Sequence, residues 1–289
     1  MDQSQRPGCF TLIPPRGDVL PVLVDSPHSG RTYPEDFRFS CPFHELAQAE
    51  DNHLDHLLTN VPDFGFTYLQ AEFPRSYIDV NRAADDIDTA LLGGLEWPEP
   101  IQPTSRSAAG IGLVRRLVRP GIPVYDRALS VEEIAHRLDA YYTPYYIALN
   151  ESLCRLHYDF GQVWHLNMHS MPASSARADD GHPVDFVLGD RMGTTCRRDF
   201  INELRDVLTG MGYRVALNDP YQGVEIIRRT GNPAAGFYTV QIEINKALYW
   251  NEQEMRFNHQ RPQLEHDLQR LFTFITDFVQ KNLVLRAAD

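Results

Sequence analysis

Short apolar runs rich in β-branched and aromatic residues recur along the chain. They lie at PVLVDS (21–26), FTYLQAEF (66–73), YIDVN (77–81), VWHLNMHS (163–170), DFVLGD (185–190), YRVALND (213–219) and YTVQIEIN (238–245). Runs of this length and composition predict strands. Between them apolar positions recur at helical spacing, most clearly over 131–160, 197–212 and 252–283, with a kink expected at Pro144. Strands alternating with helices of this length predict an α/β fold, a three-layer α/β/α sandwich around a mixed, mainly parallel sheet. No internal repeat interrupts the pattern, and the proline-rich patches at 97–103 and 119–123 are too short to link domains, so a single domain over 1–289 is expected.

Composition narrows the function classes. With 43% hydrophobic and 23% charged residues the chain can bury a core of that size. A formal net charge of -12 with no Lys/Arg-rich run argues against nucleic acid and against an anionic membrane surface as partners. The opening MDQSQRPGCFTLIPP lacks a basic stretch followed by an apolar one, and no segment reaches the roughly 20 apolar residues that cross a bilayer. Cys9, Cys41, Cys154 and Cys196 are scattered without a CxxC pair. These features predict a cytoplasmic protein with reduced thiols and no cysteine-based zinc site.

The chemistry concentrates where strands end, because ligands of α/β sheets collect at the carboxyl ends of strands. Three exits carry polar residues that would be costly in a core without partners: Asp25 and His28 after PVLV, His169 and Ser170 after VWHLNM, and Glu243 in YTVQIEIN. Alternation puts His165, Asn167 and His169 on one face of their strand and Trp164, Leu166 and Met168 on the other. A merely structural central strand seldom tolerates a wholly polar face. Glu243 shares a face with Gln241 and Asn245, which fits a cleft wall or, equally, an edge strand with one side in water. Two histidines and a carboxylate, with one position left for water, is the usual composition of a catalytic zinc site.

Two further segments supply charge. PRSYIDVNR brings Arg75, Asp79, Asn81 and Arg82 within eight residues, around the core-type Tyr77, Ile78 and Val80. Guanidinium forks bind carboxylates in pairs of hydrogen bonds and stabilise developing oxyanions. FHELAQAEDNHLDHLL holds Glu45, Glu50, Asp51, His53, Asp55 and His56; helical periodicity places both Glu50 and Asp51 beside leucines and does not choose a metal ligand between them.

Taken together, PHSG (27–30), DNH (51–53), PRSYIDVNR (74–82) and HSMP (169–172) resemble the motifs of the N-formylglutamate amidohydrolase family. The resemblance continues in the same order through GLVRRL (112–117), LGDRMGTTC (188–196), QGVEIIRRTG (222–231) and QIEINKALYW (241–250). That family is similar in fold to the zinc carboxypeptidases and aspartoacylases, within the phosphorylase/hydrolase-like sandwiches. The resemblance implies one Zn2+ ion, or another divalent metal, held by His28, His169 and Asp51, with Glu50 as substitute for Asp51. It implies Glu243 as general base, Arg75 as the carbonyl-polarising arginine, and Asn81, Arg82 and Arg228 as the grip on substrate carboxylates. The expected substrate is a small N-acyl amino acid, foremost N-formyl-L-glutamate. A broader N-acyl amino acid deacylase, a carboxypeptidase-like peptidase and a non-enzymatic dicarboxylate-binding module are the alternatives. The chain departs from the family where Ala49-Glu50-Asp51-Asn52-His53 replaces Asp-Thr-Asp-Trp-His and GVEIIRRTG replaces GGYITRHYG.

Overall fold

The apolar runs do build a sheet. The computed structural model describes residues 5–287, so residues 1–4 of the opening stretch lie outside the described residues. In chain order the strands are β1 (Gln5–Arg6), β2 (Phe10–Ile13), β3 (Val22–Ser26), β4 (Thr67–Ala71), β5 (Leu117–Arg119), β6 (Ile122–Pro123), β7 (Val163–Met171), β8 (Phe186–Gly189), β9 (Val215–Leu217), β10 (Phe237–Asn245), β11 (Trp250–Asn251) and β12 (Arg256–Phe257). Eight of them form one sheet in the order β1-β2-β4-β3-β7-β10-β8-β9, and β5–β6 and β11–β12 are separate ribbons. β3, β7 and β10 are consecutive parallel neighbours and β9 is parallel to β8, whereas β8 is antiparallel to β10 and β1 to β2. This is the expected α/β arrangement: a mixed, mainly parallel sheet with flanking helices, the longest being Thr143–Phe160, Arg198–Gly210 and Arg261–Ala287.

The chain groups into two units by its contacts. One comprises, among the described residues, 12–26, 53–69 and 150–287. Its core is the apolar face of the central strands, where Trp164, Leu166 and Met168 of β7 and Val240, Ile242 and Ile244 of β10 pack with Phe200, Leu204, Phe272 and Ile275 of the helices. Each such side chain contributes about 1.5–3 kcal/mol on burial. The other unit comprises, among the described residues, 5–11, 27–52 and 70–149. It is rich in aromatic contacts: Phe37 meets Tyr77 edge-on at 5.2 Å, and the wholly buried Arg137 lies 4.1 Å over the Tyr77 ring. Arg137 Nη1 donates to the Tyr77 carbonyl and the Tyr125 hydroxyl at 3.0 and 2.7 Å, while its Nε and Nη2 are enclosed without hydrogen-bond partners among the surrounding rings.

Three expectations are corrected. YIDVN is buried but is not a strand: Tyr77 N–H bonds to the Pro74 carbonyl, Arg82 N–H to that of Asp79, and Asp79 N–H to that of Leu113, so its backbone is spent on turns and a loop contact. The helix over 131–160 forms, with residues Leu138–Tyr142 widened into a π turn in which Thr143 N–H reaches back to the Leu138 carbonyl. That extra residue accommodates the missing N–H and the ring of Pro144. The last helix begins at Arg261 rather than 252, because the β11–β12 hairpin takes up residues 250–257 and Pro262 fits the first helical turn. Similarly, 43–58 holds two short helices, Phe43–Ala47 and Leu54–Leu57, rather than one periodic helix.

Gly30 of PHSG has a steric reason. A Cβ there would lie 2.3 Å from the Phe73 carbonyl oxygen and 2.5 Å from that of Glu72, both backbone atoms that cannot rotate away. Gly30→Ala is therefore expected to destabilise the fold by about 3 kcal/mol, near the upper end of overpacking costs, read as a lowered urea midpoint at unchanged m-value. Among the described residues no helix is long and apolar enough to cross a membrane, and the four cysteines are free.

Candidate metal centre

β7 presents an unusual pair of faces. All nine of its residues are buried, and the polar set faces polar neighbours: Asn167 pairs with Asp25 of β3 and Gln241 of β10, and His169 pairs with Glu243. β10 lies between β7 and β8, so Glu243 is not on a water-facing edge; it is 7% exposed, beside His169, and its Oε1 accepts from Gln241 Nε2 at 2.8 Å.

The polar face is a connected network. His165 Nε2 donates to Asp25 Oδ1 at 2.8 Å and Asn167 Nδ2 to the same oxygen at 2.8 Å. A carboxylate only accepts, so the amide nitrogen of Asn167 must face Asp25 and its Oδ1 must face His169. His169 Nε2 therefore donates to Asn167 Oδ1, at 2.9 Å, and Nδ1 carries the lone pair.

His28, two residues beyond β3, is oriented in the same way by a different partner. Its Nε2 donates to Asp79 Oδ1 at 2.7 Å, leaving the lone pair on Nδ1, which lies 3.7 Å from Asp51 Oδ2. Metal-ligating histidines commonly hand their second N–H to a carboxylate or carbonyl in this manner. Asp51 N–H donates to the His28 carbonyl at 3.0 Å, which ties the two residues together through the backbone. Besides His28, Asp79 accepts from Asn81 N–H at 2.9 Å and Arg75 Nη2 at 2.8 Å. Burial pushes its carboxyl up, but Arg75, His28 and Arg82 outweigh that and hold it well below the usual carboxylate range.

His28, Asp51 and His169 are all buried, and one donor atom from each lies within 4.8 Å of the others. Two donors on one tetrahedral ion at about 2.0–2.2 Å sit about 3.3–3.6 Å apart, and the 3.7 Å between His28 Nδ1 and Asp51 Oδ2 is only slightly longer. Asp51, not Glu50, is the carboxylate of this group; Glu50 accepts a short hydrogen bond from the Tyr33 hydroxyl, whose pKa is pushed up by burial first and by Glu50 second. His53 of the DNH motif stands apart, in the left-handed region at φ 54° with its ring 4.8 Å from that of Trp250.

Arg75, on the same turn as Asp79, also lies 3.6 Å from Asp51 Oδ1. Arg82 is 9% exposed; its Nη1 donates to the Asn81 carbonyl at 3.0 Å. Arg228 sits on the helix Glu225–Thr230, half exposed, with both carboxylate oxygens of Glu225 accepting from it at 2.7 Å.

Sequence reasoning quoted Asp79, Asp25 and Asn167 without giving them roles, and it passed over Arg115 of GLVRRL. Arg115 is 8% exposed and its pKa is pushed down to about 9, by burial first and by Arg75 next. The signal for Asp25 and Asn167 was the polar face itself; for Arg115 there was none.

Residues 20–250 match the family model described as N-formylglutamate amidohydrolase. The chain is 30% identical over 245 residues to an N-formylglutamate deformylase of Pseudomonas aeruginosa, covering 82% of this chain and 85% of that one. It is 28% identical over 239 residues to the deformylase of Pseudomonas putida, covering 81% and 84%. The crystal structure of N-formylglutamate amidohydrolase from Ralstonia eutropha JMP134 superposes with a TM-score of 0.91 at 42% identity, over 95% of this chain and 99% of that one. With the family model spanning most of its length, the chain belongs to the N-formylglutamate amidohydrolase family.

Proposed function

We propose that this chain hydrolyses the formyl amide of N-formyl-L-glutamate to formate and L-glutamate, using one divalent metal ion, zinc in first place, held by His28, Asp51 and His169. The observation that carries this reading is the buried group of two imidazoles and one carboxylate, with Glu243 in register beside one of the imidazoles. Family membership and the names of the relatives point to the same substrate.

When bound, the metal supplies Lewis acidity and brings the pKa of a coordinated water to about 7. Glu243 takes the proton from the attacking water and returns it to the amide nitrogen, so that the C–N bond breaks with a neutral amine leaving. Arg75 donates to the carbonyl oxygen as negative charge develops on it. Asn81, Arg82 and Arg228 orient the substrate carboxylates. Asp79 and Asn167 hold the rings of His28 and His169 with Nδ1 forward.

Metal quantification paired with formate release from N-formylglutamate tests the reading. About one metal ion per chain is expected, with turnover lost on chelation and regained on adding Zn2+. Full turnover by metal-free protein would remove the metal; a metal-loaded protein that releases no formate would remove the substrate.

A further inference from the structure

We propose that Arg115 binds a carboxylate of the substrate and sets the preference for acidic N-acyl amino acids. This deepens the reading above and rests on it for the identity of the substrate.

The argument starts from the loop that carries Arg115. Ile111 and Arg115 bridge each other in antiparallel fashion, closing a tight loop over residues 111–115. The loop is clamped to the segment after Arg75: Asp79 N–H donates to the Leu113 carbonyl at 2.8 Å, Leu113 N–H to that of Asp86 at 3.2 Å, and Arg82 Nε reaches the Ile111 carbonyl at 3.4 Å. Gly112 permits this approach, since a Cβ there would lie 2.6 Å from Ser107 Cβ and 3.0 Å from the Asp86 carbonyl oxygen. The fold thus invests in bringing Arg115 to the stretch that holds Arg75, Asp79 and Arg82.

What it does not provide is a counter-ion. Arg115 is more than nine-tenths buried, and its Nε is fully enclosed with no hydrogen-bond partner. Among the described residues no carboxylate forms an ion pair with it, because the nearby acids are committed: Asp79 to His28, Asn81 and Arg75, and Asp51 to the metal group. Burial, with the like charges of Arg75 and Arg82, depresses the Arg115 pKa and outweighs the opposing pull of Asp79 and Asp51, neither of which reaches it as an ion pair. A buried guanidinium without an acceptor costs stability unless an anion completes it. Arg137, another buried arginine of this unit, also has an Nε without a partner, but its Nη1 donates to a carbonyl and a hydroxyl and its guanidinium lies over aromatic rings. Arg115 has none of these, and a planar fork of N–H donors matches a carboxylate.

The test is calorimetric binding of glutarate, with the neutral glutaramide as control, to the metal-loaded protein. In Arg115→Gln the Kd for glutarate is expected to rise about 30-fold, the worth of charge-assisted hydrogen bonds, while glutaramide binding stays within about threefold. Arg115→Lys, which keeps the charge and tests folding separately, is expected to recover part of the loss. Glutarate binding unchanged within about threefold in a folded Arg115→Gln protein, equal losses for both ligands, or no glutarate binding by the wild type would each overturn the proposal. Formate release from N-formylglutamate is scored apart. Glutarate binding that depends on Arg115 without formate release removes the hydrolysis alone, whereas formate release with unchanged glutarate binding in Arg115→Gln removes this inference alone.

Discussion

Glu243→Gln is expected to lower kcat at least about a thousandfold while leaving the metal content at the wild-type value. A positioned general base is worth about 10²–10⁴ in rate, and Glu243 serves twice in the proposed reaction, first as proton acceptor and then as donor to the leaving nitrogen. The substitution is well suited to isolating that role. Glutamine is nearly isosteric, and its amide oxygen can still accept from Gln241 Nε2 as Glu243 Oε1 does. The strand pairing of β10 with β7 involves backbone atoms and is untouched. KM should move little, because the base is not one of the carboxylate-gripping groups. A variant retaining a tenth or more of wild-type turnover would show that the proton is carried by another group.

The second large effect is expected at His169. In the proposed site His169 is one of three ligands, and its removal would leave only two, so His169→Ala purified without added metal should hold less than about a tenth of an equivalent and show no measurable turnover. The partner of the ligand gives a graded control. Asn167 fixes the ring of His169 from behind, and Asn167→Ala is expected to weaken metal affinity about 10–100-fold, as loss of such supporting hydrogen bonds commonly does. Competition with a chromogenic chelator measures both variants on one scale. A His169→Ala protein that still carries one metal ion would exclude His169 as a ligand.

Several elements were legible from residue order because their cause is local. β7 is an example: a period-two alternation of His165, Asn167 and His169 with Trp164, Leu166 and Met168 says that one face is apolar and the other polar wherever the strand is placed. The β10 run reads the same way, and both emerged as strands with the expected faces. The turn in PHSG is also local, although the need for glycine at position 30 is not, since a side chain there would meet the backbone of Glu72 and Phe73. Less was legible where chain segments meet. YIDVN has strand-like composition, yet its hydrogen bonds go to Pro74, Asp79 and Leu113 through turns, and the last of these partners lies far along the chain.

By itself, then, the sequence determined the strand-helix alternation, the polar face of the central strands, the histidines at two strand exits and the family resemblance. Each of these is written in residues whose meaning depends on neighbours a few positions away. Only the tertiary structure decided that Asp51 rather than the adjacent Glu50 joins the histidines, since the choice turns on Tyr33 engaging one carboxylate and the His28 backbone fixing the other. It alone decided that Asp79 is spent on orienting His28 while Arg115 is buried without a counter-ion. Those are matters of which charge finds which partner across long stretches of chain, and electrostatic pairing in a low-dielectric interior depends on distance in space, which residue order does not encode.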